Sequence, residues 1–426
     1  MDAARGLDES PFFDWFDPAV QADPEPVVNE FRARTAVVRT PLGASVLGRR
    51  EVQALLSDPR LVTAVAHLVR VQSGGEGPLA GMLGDTVIAM DGPDHTRLRR
   101  LVARAFTPRA ADRHRAVMRS LVDELVDDFA GDGYCEFMAD FADRYPVQVI
   151  CEVLGVPRED HPLFAHWGET LTYLLSLELG PRLAEVEQAA NELGAYVDDL
   201  VEDRRASPRD DMVTSLVEAS EDGDRLNQAE LGAMIASLLF AGYDTTRNQL
   251  GRAMVTFCHH PDQWDRLAAE PDLAARSVDE VMRLAGAVVG VPRIATEDVA
   301  IGGWTIPAGT LVFLSTASAN RDEAVYDQVA TFDITGDRVP HLTFGGGPHY
   351  CLGANLARAE MEEALRVLPG RLRHIQLNGQ PLGGRAPPSP GRATCHSGSN
   401  PRSDRPASSH ARTHQLPAAG GLACLI

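Results

Sequence analysis

The 426-residue sequence contains no lysine; all 40 of its basic residues are arginine, a bias expected of a GC-rich gene rather than of a function. Paired cysteines are missing as well. The six present, Cys135, Cys151, Cys258, Cys351, Cys395 and Cys424, are scattered without a CxxC pair. That spacing argues against a disulfide scaffold and against a zinc site, and it fits a reducing cytoplasm. Positive charge is in deficit: 60 acidic against 40 basic residues leave a formal charge of −20. Broad nucleic-acid binding is excluded on that ground, because attraction to phosphates needs a basic surface. Met1 to Pro24 is acidic and broken by prolines, with no basic start leading into an apolar run, so no signal peptide is expected. The longest mostly apolar stretch, Leu231 to Gly242, falls far short of the roughly 20 residues of a membrane helix. The chain is therefore expected to be cytoplasmic, neither anchored to nor spanning a membrane. No internal repeat is visible.

What is present describes a globular protein. At 44% hydrophobic and 23% charged residues, the chain has enough apolar material and length for a large core. Apolar residues recur at three- and four-residue steps in Ala116 to Ala130, Arg182 to Arg204, Gln228 to His259 and Asn355 to Leu368, which predicts a mainly α protein. Strand-like segments are short and gather in Thr35 to Leu47 and in Val299 to Leu314, the latter punctuated by Gly302-Gly303 and Pro307-Ala308-Gly309. The fold class is thus mainly α with small β-sheets. One helix is unusual: Asn227 with Glu230 predicts a capping box, and no proline follows until Pro261, so the run of about 33 residues would extend about 50 Å.

The run Phe344-Gly345-Gly346-Gly347-Pro348-His349-Tyr350-Cys351-Leu352-Gly353 places four glycines and a cysteine directly before a helix-forming stretch. Glycine lets backbone approach a ligand closely and aim N–H groups at a sulfur. A cysteine just ahead of a helix start would have its thiolate favoured by the dipole and by those amides. This pattern resembles the haem-binding signature of the cytochromes P450. The resemblance implies the cytochrome P450 fold, a helix-rich triangular prism enclosing haem b, with Cys351 as axial thiolate to the iron and Phe344, Gly345, His349 and Gly353 around the cofactor.

The middle of the long helix reads Ala241-Gly242-Tyr243-Asp244-Thr245-Thr246, where glycine and β-branched hydroxyl residues lower helix propensity. It resembles the oxygen-binding helix of the same family. By that resemblance Ala241 and Gly242 leave room above the haem, and Asp244 with Thr245 deliver protons during oxygen activation. Glu280 and Arg283 stand one helical turn apart and have two local readings, a surface ion pair or, with Ser277, a capping box. The resemblance makes them instead a buried structural pair. A third arginine is expected from a Phe-Asp-x-x-Arg segment, but here Phe332-Asp333-Ile334-Thr335 is followed by Gly336, and Arg338 lies two residues on.

Propionates need cationic partners inside a protein. His95 and Arg99 lie one turn apart on a predicted helix capped by the turn Met90-Asp91-Gly92-Pro93-Asp94. The resemblance assigns them to the propionates together with Arg293 and His349. Arg97, Arg100 and Arg109 then read as a solvated basic face that could dock an acidic electron-transfer protein. Substrate contacts would come from Leu68 to Ile88, Trp167 to Leu179, Leu238 to Thr245 and Val288 to Val291.

The resemblance covers about residue 30 to Leu377, giving a haem domain over 1–380. Pro381 to Ile426 differs: it is rich in Pro, Ser, Ala, Gly and Arg, with five arginines against the single acid Asp404. Such a composition predicts disorder, and its residue types are those of an out-of-frame reading of a GC-rich gene. The implied activity is that of a monooxygenase. It inserts one atom of O2 into a hydrophobic small molecule, by hydroxylation or epoxidation in secondary metabolism, with electrons from NAD(P)H through a separate ferredoxin and ferredoxin reductase. The competing readings are a peroxide-driven peroxygenase, which would not need Asp244 and Thr245, and an impaired haem- or ligand-binding protein, which Gly336 and the tail would favour.

Overall fold

A computed structural model describes residues 4–75, 77–176, 179–221, 224–377 and 394–396. Helices dominate, as the periodicity predicts. Those that build the site are α1 (Gly92–Val102), α2 (Arg115–Asp127), α3 (Tyr145–Leu154), α4 (His161–Leu171), α5 (Leu179–Ala206), α6 (Gln228–His259), α7 (Pro261–Ala269), α8 (Ala274–Ala285) and α9 (Ala354–Arg371). The predicted long helix is α6, at 32 residues, or about 48 Å. Its capping box is formed: Asn227 Oδ1 accepts the Glu230 N–H at 2.9 Å, and Glu230 Oε2 accepts the Asn227 N–H at 2.9 Å. Hydroxyls in its interior turn back on the helix backbone, Ser237 to Met234 O at 2.8 Å and Thr256 to Arg252 O at 2.7 Å, which satisfies them without water. α6 packs against α3, α4, α5 and α8, and α9 packs against α2, α7 and α8, so both long helices run through one apolar core.

Apart from the two-residue strands Arg5–Gly6, Ser220–Glu221 and Asp224–Arg225, the described strands are β1 (Val37–Thr40), β2 (Gly43–Val46), β3 (Leu61–Thr63), β4 (Val291–Ala295), β5 (Val299–Ile301), β6 (Trp304–Ile306), β7 (Leu311–Leu314), β8 (His374–Gln376) and β9 (Thr394–His396). The predicted segment Thr35 to Leu47 divides into the β1–β2 hairpin, and Val299 to Leu314 into β5, β6 and β7. A five-stranded sheet has the order β1-β2-β7-β4-β3, antiparallel except for the parallel β2–β7 pair, in the register Phe313 with Ser45. It encloses a second apolar cluster that includes Val46, Val312 and Leu314. β4 carries Arg293 and is flanked by β7 and β3.

One local alternative is set aside. Ser277 and Glu280 do not form a capping box, because both lie inside α8: Ser277 Oγ donates to Leu273 O at 2.9 Å, and Glu280 pairs with Arg283. Of the tail expected to be disordered, Thr394–His396 forms β9, antiparallel to β8. The rest of that expectation lies outside the described residues. No described helix is long and apolar enough to cross a membrane.

Candidate active site

Cys351 sits in a loop folded back on itself, with its N–H donating to Phe344 O at 2.9 Å. Gly345 and Gly347 have φ of +71° and +61°, in the left-handed region that disfavours side chains. A Cβ on Gly347 would stand 2.4 Å from Leu56 O, so the close pass of this loop over residue 56 requires glycine. As predicted, a backbone N–H, that of Gly353, is directed at the sulfur. Burial pushes the Cys351 thiol up, and the Gly353 bond with the charges of Arg99 and Arg358 only oppose it. A bound metal cation is what deprotonates such a thiol outright.

Cys351 opens onto a cavity of ≈ 260 Å³, whose lining includes Phe344, Gly345 and Gly353 from the loop and Ala241, Gly242 and Thr245 from α6. Thr245 Oγ1 donates to Ala241 O at 2.7 Å, so its hydroxyl oxygen keeps a lone pair free to accept. A Cβ on Gly242 would meet Ile150 at 3.6 Å, an ordinary contact; glycine is not demanded there by protein neighbours. Asp244 is not on the cavity wall. It is buried, accepts from Asn248 Nδ2 at 2.9 Å, and has its pKa raised to about 6 by burial against the opposing charge of Arg247 and the Asn248 bond. Arg247 in turn pairs with Asp143 at 2.8 Å, at the end of a short helix against α6.

Three basic side chains, Arg99, Arg293 and His349, also line the cavity. His95 lies behind His349, with ring centroids 4.3 Å apart. His349 Nε2 meets Asp91 Oδ1 at 2.9 Å, and Asp91 also accepts the Thr63 N–H at 2.8 Å. Asp91 therefore does not cap α1 with its side chain, as its turn suggests, because His349 and β3 hold it. Burial lowers the pKa of Arg293 despite the field of Asp91, and its guanidinium donates to the Pro292 carbonyl at 2.9 Å. Burial, with His349, Arg99 and Arg293 nearby, lowers His95 to about 4 despite Asp91, and its buried Nε2 has no partner. Arg99 donates to Tyr350 O.

A buried guanidinium without a carboxylate bonded to it and an imidazole nitrogen without an acceptor mark places for an anion. One thiol at a glycine-cleared loop marks a single metal ligand, and among the described residues no cluster of three or more His, Cys, Asp or Glu could hold a metal alone. The donor set fits a flat group that brings its own metal and its own carboxylates, as haem does: Cys351 for iron, Arg99, Arg293, His349 and His95 for the propionates.

The buried pair is present: Glu280 and Arg283 meet through two bonds of 2.7 and 2.9 Å. Arg283 also donates to the carbonyls of Asn320, Val329 and Thr331. Arg338 reaches Glu280 Oε1 at 3.4 Å, so the position two residues past Gly336 supplies the third charge. Arg97 corrects the expected solvated face: it pairs with Asp224 at 3.3 Å and with Glu230, tying α1 to the start of α6. The sequence reading missed Asp91 as the His349 partner, Gln249, and Arg358. Gln249 binds Ala285 O at 3.2 Å and the Ala287 N–H at 2.9 Å. Arg358 lies 4.6 Å over the Phe344 ring and reaches Tyr350 OH at 3.1 Å. It lies seven residues past Cys351, about one turn into α9, and that position could have located it.

Comparison with known proteins agrees with this geometry. The family model "Cytochrome P450" matches residues 56–368. Luteothin monooxygenase of Streptomyces thioluteus is 38% identical over 373 residues, 87% of this chain and 91% of that protein. Mycinamicin IV hydroxylase/epoxidase of Micromonospora griseorubida is 39% identical over 348 residues, covering 80% and 85%. Among solved structures, cytochrome P450 CYP109Q5 from Chondromyces apiculatus superposes with a TM-score of 0.82 at 31% identity, covering 90% of this chain and 98% of that one.

Proposed function

Because this chain belongs to the cytochrome P450 family, it is a haem-dependent oxidoreductase of the monooxygenase class, and we propose that it hydroxylates or epoxidises a hydrophobic small molecule of bacterial secondary metabolism. The observation that carries this reading is that Cys351 and Thr245 line one largely apolar cavity, with Arg99, Arg293 and His349 on the same lining. Relatives of similar identity are named for luteothin, mycinamicin IV, vitamin D(3) and a steroid, which supports a hydrophobic small molecule and favours no one class.

Haem held by Cys351 supplies dioxygen activation, with the thiolate donating electron density that favours O–O cleavage. Arg99, Arg293, His349 and His95 are the residues that would hold its propionates. Thr245 would accept a hydrogen bond from water at its free lone pair while its own O–H keeps donating to Ala241 O. It thereby holds a water at a defined point without ionising. Asp244, with a pKa of about 6, stands on the adjoining face of the same turn, as the group that would exchange protons behind the cavity wall. Ile150, Leu171, Leu174 and Leu193, from α3, α4, the turn after α4 and α5, exclude bulk water from the cavity.

Electrons come from NAD(P)H through a ferredoxin and its reductase in the cytoplasm. The test is turnover with ferredoxin, reductase and NADPH against turnover with peroxide alone; peroxide-only activity would favour a peroxygenase. Thr245→Ala is expected to lower product formed per NADPH by roughly 10²-fold, within the usual range for positioned proton transfer, with substrate affinity unchanged. Equal coupling in the variant would contradict the assigned role.

A further inference from the structure

Two cations act on the Cys351 sulfur, Arg99 and Arg358. Arg99 stands on the cavity lining, where the propionate reading pairs its charge with an anion. Arg358 does not line the cavity. It rises from the start of α9 behind the Cys351 loop, with its guanidinium 4.6 Å over the Phe344 ring and its Nη1 donating to Tyr350 Oη at 3.1 Å. The Phe344 carbonyl accepts the Cys351 N–H at 2.9 Å, and Tyr350 precedes Cys351 in the chain. The cation is thus fixed to both residues that hold the cysteine backbone on this side.

The groups around Arg358 leave most of its charge uncancelled toward the sulfur. Its carboxylate partner, Asp279 of α8, meets Nε at 3.4 Å, a long contact, and the Asp279 side chain is 58% exposed, so water screens it. Asp279 is shared with His341, whose Nε2 lies 3.4 Å away. Burial lowers the pKa of that histidine, which leaves it neutral at pH 7. Glu360, two residues further along α9, is kept neutral by burial, and Glu280 of α8 is taken by Arg283. The same burial that pushes the Cys351 thiol up excludes water near the sulfur, so little solvent screens the field of Arg358 there.

We propose that Arg358 sets the reduction potential of the haem: its charge stabilises the electron that the iron takes from an outside one-electron donor, and Asp279 anchors the guanidinium while offsetting part of its field. This rests on the reading of Cys351 as the haem thiolate. Uptake of one electron makes the thiolate-bound iron more negative by one unit, with no bond formed or broken. A fixed cation beside the ligand therefore favours the reduced form, and a carboxylate opposes it. Arg358 acts through the thiolate and needs no contact with the electron donor.

The test is the ferric-to-ferrous midpoint potential of the haem-loaded enzyme, by anaerobic dithionite titration with mediator dyes, for wild type, Arg358→Gln, Arg358→Lys and Asp279→Asn. Arg358→Gln is expected to lower the equilibrium constant for reduction about tenfold, which is about 59 mV for one electron. Arg358→Lys keeps a cation over the Phe344 ring and is expected to stay within about threefold of wild type. Asp279→Asn is expected to raise the constant about twofold at low ionic strength, an effect that fades at about 1 M salt. An Arg358→Gln potential equal to wild type overturns the proposal. Equal shifts in the Gln and Lys variants also overturn it, because hydrogen bonding to Tyr350 rather than charge would then be the cause. Asp279→Asn lies at an exposed position and tests the same field if Arg358→Gln does not fold; a potential that stays flat or falls at low salt overturns the proposal. The reduced CO spectrum of the same samples separates the two levels. A wild-type band without the thiolate red shift would remove the Cys351 reading itself, whereas thiolate bands in every variant with an unmoved potential would remove only this inference.

Discussion

Asp244 and Thr245 are neighbours in sequence with different surroundings: Thr245 faces the cavity, while Asp244 is held against Asn248 and Arg247 behind it. This division follows from helical geometry, since adjacent residues on a helix point about 100° apart. It also fixes the sign of a pH effect. Burial raises the Asp244 pKa from 3.8 to about 6, so ionisation is disfavoured more in the folded than in the unfolded chain. The stability this group contributes is fully present below 3.8 and is lost as pH rises through about 6. Against Asp244→Asn, the wild-type protein is expected to lose about 2–3 kcal/mol of unfolding free energy across that window, measured by urea midpoints. Parallel pH profiles for the two proteins would contradict it. At this scale the sequence was informative where chemistry restricts the residue type, as at Cys351 and its glycines. It was silent on Asp91, whose role depends on β3 and His349 arriving from distant parts of the chain.

Elements were legible in proportion to their local signals. α6 appears with both ends as predicted because its capping box, long apolar periodicity and terminating proline all act locally. β4 was not legible as a strand: it is five residues long, contains Pro292, and owes its pairing to β3 and β7. The turn of α8 that holds Glu280 and Arg283 had two local readings, and the carbonyls of residues 320, 329 and 331, which no sequence pattern places, decide for the buried pair. Arg283→Ala leaves Glu280 buried with only a distant cation and is expected to cost about 3–5 kcal/mol. Arg338 is partly exposed and 3.4 Å from Glu280, so Arg338→Ala should cost about 1 kcal/mol or less. Thermal or urea unfolding of the two variants checks the order, and a larger loss from Arg338→Ala would contradict it.

For the molecule as a whole, the mainly α architecture with small sheets was legible because helical periodicity is carried by hundreds of residues. How the β-sheet orders its strands was not, since that depends on pairings such as β2 with β7, which join residues 268 apart along the chain. Haem recognition spans both scales: the Cys351 loop and the α6 wall are separated in sequence and come together only through packing of α6, α8 and α9. The most direct measurement is therefore the reduced CO-difference spectrum of the purified haem-loaded protein, recorded beside Cys351→Ala. The expected result is a strongly red-shifted Soret band in the wild-type protein, reporting thiolate ligation, and its loss in the variant. A wild-type band without that shift, or a shifted band that survives Cys351→Ala, would contradict the assignment of Cys351 as the haem ligand.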